Sequence, residues 1–227
     1  MAEKIDVAAL ISGGKDSALA LYYALKEKYN VKYLVTMIPQ RDDSWMFHYP
    51  NVELTGLFAE ACGIPLIKAE TSGVKEKELE DLKSLLMKLD IEGVVSGVIS
   101  STYQKTRLNR ICIDVGLKSI TPLWHKDPKR LMETLITDGF SVIFTGVYAY
   151  GLDEKWLGRR LDREALKDLV ALSRRYQISL VGDGGEYETL VLDAPYFEKR
   201  IRILKAKTIW GGESGYLLVE EARLEEK

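Results

Sequence analysis

Cysteine, histidine and long apolar runs are what this chain has least of. Cys62 and Cys112 are its two cysteines in 227 residues. They give no disulfide framework and no zinc-ligand spacing. Both fall in helix-like apolar patterns, which reads as buried structural thiols. His48 and His125 are the two available imidazoles, and neither cysteine has a recognisable nucleophile setting. An internal glutaminase is therefore not expected. No apolar run approaches ~18 residues, so no membrane-spanning helix is expected. The N-terminus leads directly into an apolar strand pattern and carries no signal-peptide pattern. A cytoplasmic location is the expectation. An excess of one charge sign is also missing, since 32 Lys and Arg face 34 Asp and Glu for a net −2. That balance supplies no global basic field for nucleic acid. Basic pairs such as Lys129-Arg130, Arg159-Arg160 and Arg174-Arg175 read as solvated helix surface.

What the chain does have is Ser12-Gly13-Gly14-Lys15-Asp16-Ser17. The apolar run Val7 to Ile11 leads into it and a helix-like run, Ala18 to Lys28, follows. Strand, glycine turn and helix point several backbone N–H groups at one anion. Gly13 and Gly14 allow positive φ and close approach of a ligand. The free amides and positive dipole end of the following helix favour phosphate there. Lys15 adds a mobile cation, Ser12 and Ser17 add hydroxyl donors, and Asp16 could hold magnesium beside the phosphates. The run is neither a Walker A loop nor a G-x-G-x-x-G dinucleotide turn.

The rest of the first 150 residues alternates between strand and helix. Strands are expected near Ile5–Ile11, Lys32–Ile38, Pro65–Ile67, Gly93–Ile99, Ser119–Thr121 and Ser141–Tyr148. Helices are expected near Asp16–Lys28, from Asn51 as N-cap to Gly63, near Val74–Leu89, from Thr102, and near Pro128–Asp138. This alternation predicts an α/β fold with a parallel, doubly wound sheet that includes the sixth strand. Ligands of such sheets sit beyond the carboxyl ends of the strands. Met37 and Ile38 then lie where an adenine could meet backbone groups. Gln104 and Arg107, early in the helix after strand four, lie near ATP or an acidic substrate. The aromatic segment Trp45 to Tyr49 reads as a packed flap or a ligand wall.

After Tyr150-Gly151 the pattern changes. A helix near Arg163–Tyr176 is followed by Gly182-Asp183-Gly184-Gly185-Glu186-Tyr187-Glu188-Thr189 and by short period-two stretches about Gly211, Gly212 and Gly215. These predict antiparallel strands. The expected division is residues 1–150 as a nucleotide-binding domain and 151–227 as a smaller α+β region. Glu186 and Glu188 could orient an amine or ammonium, or accept a proton during amide formation. A tight structural turn with surface acids accounts for the same residues. An edge strand in the 200–220 region could pair between subunits and make a homodimer.

The glycine run matches the SGG-x-DS signature of the ATP pyrophosphatases, the PP-loop family. Its members split ATP between the α and β phosphates and leave AMP on an acceptor. Over nearly its whole length the chain resembles the diphthine–ammonia ligase branch of that family. The resemblance is carried by SGGKDS (Ser12–Ser17), MFHYPN (Met46–Asn51), SGVISSTYQKTRLNRIC (Ser96–Cys112), PLW (Pro122–Trp124) and GDGGEYETLVLDAP (Gly182–Pro195). The SGG-x-DS run is common to many PP-loop enzymes, whereas GGEYET separates this branch. Asp183 stands where the branch often has Glu. Longer relatives carry extra C-terminal domains of a deaminase-like type, for which this chain is too short.

The resemblance implies a Rossmann-like sheet of the adenine nucleotide alpha hydrolase type. It also implies an ATP- and Mg2+-dependent amide ligase. Such an enzyme converts the carboxylate of diphthine, a modified histidine on elongation factor 2, into an amide with ammonia. Transfer of AMP to the carboxylate gives a mixed anhydride with a stable leaving group; ammonia then attacks, and AMP and pyrophosphate are released. In this reading Ser12, Gly13, Gly14 and Ser17 cradle the departing phosphates. Lys15 stabilises charge near the α–β bridge and Asp16 holds magnesium. Met37, Ile38, His48 and Gly97 meet the nucleoside. Tyr103, Gln104 and Arg107 take the acidic substrate. Glu186, with Glu188, Tyr187 and Thr189, faces ammonia or the trimethylammonium group, for which Tyr103 and Tyr187 offer cation–π faces. Lys15, Asp16 and Glu186 are the expected catalytic residues. Two other readings compete: a tRNA-modifying PP-loop enzyme, disfavoured by the charge and the cysteines, and a non-catalytic ATP- or AMP-binding module.

Overall fold

The computed structural model of the protein describes residues 4–39, 51–71 and 77–227. The expected aromatic flap Trp45–Tyr49, and His48 with it, lies outside the described residues. Strands β1 (Asp6–Leu10), β2 (Asn30–Pro39), β3 (Leu66–Thr71), β4 (Gly93–Val95) and β5 (Lys118–Ile120) form a parallel sheet in the order β3-β2-β1-β4-β5. Val7, Ala8 and Ala9 of β1 are at most 1% exposed, as a central strand covered on both faces must be. One face meets α3 (Lys77–Leu86) and α4 (Thr102–Asp114) through Ala8, Val35, Val94, Leu82, Leu86 and Leu108. The other meets α1 (Lys15–Lys26) and α2 (Thr55–Cys62) through Val7, Ala9, Leu34, Leu19 and Phe58. The sheet is therefore doubly wound, and its strand order reverses between β1 and β4.

Helix α1 is apolar on nearly all sides, which suits the position it holds. It packs against β1, β2 and β4 of the first sheet and against β7 (Tyr187–Asp193) of a second sheet. That second sheet is antiparallel. It has the order β7-β6-β9-β8, where β6 is Ser141–Val147, β8 is Lys199–Trp210 and β9 is Gly215–Glu226. The two long strands β8 and β9 form a hairpin about Gly211 and Gly212, with the Gly211 N–H donating to Ser214 O and Gly212 at φ 95°. Helix α5 (Pro128–Thr137) starts on Asp127, whose carboxylate accepts from Arg130 N. Helix α6 (Arg163–Tyr176) starts on Asp162, which accepts from Ala165 N. Both are N-caps of the usual acidic kind.

Two expectations need correction. The strand Ser141–Val147 does not continue the parallel sheet; it lies between β7 and β9 and pairs antiparallel with both. Its uniform apolarity marks a strand buried on both faces, and periodicity carries no information about which sheet buries it. Asn51 is not a helix N-cap. It sits at φ 72° with no capping bond, a left-handed conformation that Asn tolerates. Its side-chain amide instead donates to Leu217 O and accepts from Val219 N. Asn51 thus hydrogen-bonds to β9 just before α2 is entered through the short 3-10 turn Val52–Leu54.

Candidate active site

The switch in strand order leaves a crevice at the carboxyl ends of β1 and β4, where open α/β sheets bind ligands. The second sheet closes over it and makes a cavity of about 750 Å³. Its floor is apolar, built from Leu10, Val35, Met37 and Leu108. Its walls are the glycine loop, the start of α4, and the segment from Gly182 to Leu190.

The glycine loop is built as a cradle. Gly13 takes φ 85° and its carbonyl accepts from Val191 N of β7. Gly14 stands at the start of α1 and has no side chain to cap it, so the first-turn amides of a 12-residue helix face the cavity end. The Ser12 Oγ accepts from Gly14 N, and the Ser17 Oγ donates to Gly14 O. Gly97 follows β4 so closely that a Cβ there would lie 2.6 Å from the Asp16 carbonyl carbon. Only glycine lets β4 approach the loop at this distance.

Lys15 is 3% exposed. Its Nζ donates to Asp16 Oδ2 at 2.9 Å and to Val181 O at 2.5 Å. It also stands over the Tyr187 ring, 5.0 Å from the centroid. The Lys15 backbone N–H donates to Thr189 Oγ1. Every one of these contacts except that to Asp16 comes from the segment 181–189, so the two sequence motifs are one structural unit.

The structure brings Ser12, Gly14, Lys15, Asp16, Ser17, Met37, Gly97, Tyr103, Gln104, Tyr187, Glu188 and Thr189 to the wall of this cavity. Met37 and Ile38 lie beyond Val35, the last residue of β2 paired with β1. Their β1-side backbone edge has no strand partner among the described residues. The Ile38 side chain does not line the cavity, and Gly13 turns toward Leu190 and Thr55 behind the wall. Gln104 is placed by the Ser101 N-cap, whose Oγ accepts from Gln104 N. Arg107 does not line the cavity; its guanidinium lies over the ring of Tyr103, 3.5 Å from the centroid.

Glu186 also stands behind the wall. Its Oε1 accepts from Ser179 N and its Oε2 from Gly184 N. The carboxylate therefore shapes its own loop. The Tyr187 hydroxyl donates to Leu180 O, and burial above all, then the Asp16 charge, pushes that phenol well above its usual range. Of the two glutamates of this motif Glu188 is the one that reaches the cavity, where its carboxylate acts on the Tyr148 hydroxyl.

Sequence reading missed Ser96, Thr145, Tyr148 and Asp183 as cavity residues. Ser96 Oγ is buried without a hydrogen-bond partner among the described residues, and buried hydroxyls seldom stay so. Asp183 ties the first region to the second by accepting from Ser100 Oγ and Ser179 Oγ. No sequence pattern marks these contacts, because they arise where β6 and the 179–185 loop fold back across the first sheet. The thiols of Cys62 and Cys112 are both pushed up to about 11, first of all by burial. No group of three His, Cys, Asp or Glu among the described residues could hold a metal by protein ligands alone. No helix there is long and apolar enough to cross a membrane.

A family profile described as diphthamide synthase N-terminal domain matches residues 5–119, and one described as diphthamide synthase C-terminal domain matches residues 127–224. A diphthine–ammonia ligase of Schizosaccharomyces pombe is 35% identical over 236 residues, covering 94% of this chain and 39% of its own length. The chain thus spans well under half of that relative. A diphthine–ammonia ligase of Mus musculus is 32% identical over 249 residues, covering 97% of this chain and 93% of its own length. A solved U34-tRNA thiolase from Methanococcus maripaludis has a TM-score of 0.38 and 16% identity, covering 81% of this chain and 72% of that one. A likeness so low carries no argument.

Proposed function

The chain belongs to the diphthamide synthase family, and from that premise we propose that it is an AMP-forming ligase making the amide of diphthine from ATP and ammonia. The observation that carries the reading is the single cavity shared by the Ser12–Ser17 loop and the 182–189 segment. An enzyme that joins an activated carboxylate to ammonia must hold nucleotide and acceptor within bonding distance. Lys15, touched by both motifs, stands at that junction.

ATP fits the residues present. The start of α1, the Gly97 approach and the β1-side edge of Met37–Ile38, which has no strand partner among the described residues, supply a phosphate cradle, a close-packed middle and a base-sized end. In this proposal the Ser12, Gly14 and Ser17 groups hold the phosphates that leave as pyrophosphate. The apolar floor takes the adenine. Lys15 turns from Val181 O toward the α–β bridge and stabilises the charge that develops there. The diphthine carboxylate attacks the α-phosphorus, and the acyl-adenylate gives AMP a stable leaving-group role when ammonia attacks the carbonyl. Magnesium would be held by Asp16 together with the phosphates, and when bound it neutralises phosphate charge. A single carboxylate such as that of Asp16 suits the ion, which takes few protein ligands.

Glu186 in this proposal orders the 179–186 loop, and Glu188 faces the acceptor. The two high-pKa thiols supply no nucleophile for splitting glutamine, so ammonia arrives free or from a separate donor. Elongation factor 2 bearing diphthine is the proposed protein substrate, and the cytoplasm, where that factor works, the proposed place of action. The test measures pyrophosphate release from ATP and magnesium with ammonium present, with and without diphthine-bearing factor. Factor-dependent release, with a mass change on the factor from carboxylate to amide, is the expected result. Nucleotide binding with no factor-dependent release would overturn the acceptor.

A further inference from the structure

Three aromatic rings line the cavity among the described residues: Tyr103, Tyr148 and Tyr187. Two are already taken by the protein's own cations. The Tyr187 ring lies under the Lys15 ammonium, and the Tyr103 ring carries the Arg107 guanidinium at 3.5 Å. A second cation brought to either ring would meet a like charge. Tyr148 differs. It is 42% exposed, and its hydroxyl lies on the Glu188 side of the β6–β7 ladder, where that carboxylate acts on it.

Local sequence explains how this ring is held. Gly146 stands opposite Glu188 in the β6–β7 ladder. A Cβ at Gly146 would lie 2.6 Å from the Tyr148 hydroxyl oxygen and 2.8 Å from its ring. The absent side chain is thus the space in which the Tyr148 ring lies, and the ring reaches across it to the neighbouring strand. Burial first, then the nearby Glu188 charge, holds the phenol well above its usual range. Among the described residues the cavity's charged lining is Lys15, Asp16, Asp183 and Glu188, and the Lys15 ammonium is engaged by Asp16. The second-sheet wall is anionic and aromatic.

A quaternary ammonium has no N–H to donate, so aromatic faces and diffuse negative charge are what recognise it. The geometry points to Tyr148, braced by Gly146 and Glu188, as the specificity-determining seat for the trimethylammonium group of the acceptor. This rests on the ligase reading for the identity of the acceptor, but the chemistry of the seat is tested without it. Thr189, next to Glu188, bonds the Lys15 backbone.

The experiment uses the full chain loaded with a non-hydrolysable ATP analogue and compares choline with 3,3-dimethylbutanol, its neutral carbon isostere, by calorimetry or ligand-observed NMR. The protein is expected to prefer choline by about tenfold, as a desolvated cation–π contact supplies. Tyr148→Leu should bring the two ligands within about twofold while leaving the affinity for the ATP analogue unchanged; Tyr148→Phe, which keeps the ring, should retain most of the preference. Equal binding of the two ligands by the unaltered protein, or a preference that survives Tyr148→Leu, overturns the seat. A choline preference that depends on Tyr148, in a protein that releases no pyrophosphate with diphthine-bearing factor, leaves the seat standing and removes the ligase reading. Factor-dependent release without any choline preference removes the seat alone.

Discussion

The ammonium of Lys15 stands over the ring of Tyr187, 5.0 Å from its centroid, and donates to the Val181 carbonyl six residues before that ring. A residue of the first loop is thereby held by a segment more than 160 positions later in the chain. The lysine is buried, so its charge depends on these partners. Under the proposed ligase reading, nucleotide binding competes for it, which would couple the state of the 181–189 segment to the nucleotide.

Lys15→Met should separate the two roles of this side chain. The Met stem still fills the space, but Val181 O loses its donor, at a cost of about 1–3 kcal/mol in stability. Pyrophosphate release should fall at least ~100-fold, on the scale of losing one preorganised charge-stabilising group. The melting-temperature rise on adding ATP should shrink with it. A variant with full turnover would remove Lys15 from the chemistry.

Gly97→Ala should be severe for a methyl group. The new Cβ would come within 2.7 Å of Asp16 O and Ser17 N. Those are backbone atoms that cannot rotate aside, so α1 or β4 must shift. Overpacking of this kind costs about 1–3 kcal/mol. The shift falls on the phosphate cradle, so ATP affinity measured by calorimetry should drop by more than stability alone explains. Wild-type affinity in a folded Gly97→Ala protein would show that β4 does not define the cradle.

Glu186→Ala and Glu188→Gln should fail differently. Removing Glu186 leaves the Ser179 and Gly184 amides without their acceptor, and a loss of about 1–3 kcal/mol is expected. Glu188→Gln keeps the fold and weakens the acceptor side. It should raise the KM for diphthine-bearing factor while the affinity for ATP holds. Steady-state kinetics with denaturant melts on both variants checks this. A pure kcat loss in Glu186→Ala, with stability untouched, would return that residue to the chemistry.

The first half of the fold was legible because its signals are local. The apolar run of β1, the glycine turn and the amphipathic helices each follow from neighbours in sequence. The second half was legible in kind but not in pairing. The apolar run of β6 reads the same in a parallel or an antiparallel sheet, and only its partners β7 and β9 decide between them. The site followed the same division. Ser12 to Ser17 could be read from spacing, whereas Tyr148 could not, since its place depends on the missing side chain of Gly146. Glu186 and Glu188, equivalent in sequence, part because Glu186 lies in the turn before β7, where the Ser179 and Gly184 amides hold its carboxylate, whereas Glu188 is in the strand, opposite Gly146.

The two thiols give the pH prediction. Burial raises Cys62 and Cys112 each to about 11 from an ordinary thiol value of 9.0. The folded chain therefore keeps both protons in a range where the unfolded chain releases them. Between about pH 9 and 11 the unfolded state binds fewer protons than the native state, so stability falls as pH rises through that window. Below pH 9 both states hold the protons and the thiols contribute no slope. Other groups titrate here as well, so the measure is a difference: melts of the wild-type chain against Cys62→Ala and Cys112→Ala at several pH values from 7.5 to 11. Each variant is expected to be less stable at pH 7.5, because a buried side chain has been cut back, but to lose less stability above pH 9 than the wild type does. At neutral pH neither thiol is ionised, so ammonia-dependent turnover should resist alkylating reagents. Rapid loss of activity on stoichiometric alkylation at pH 7.5 would mean that a thiolate is available after all, and would reopen the search for a glutamine-splitting nucleophile in this chain.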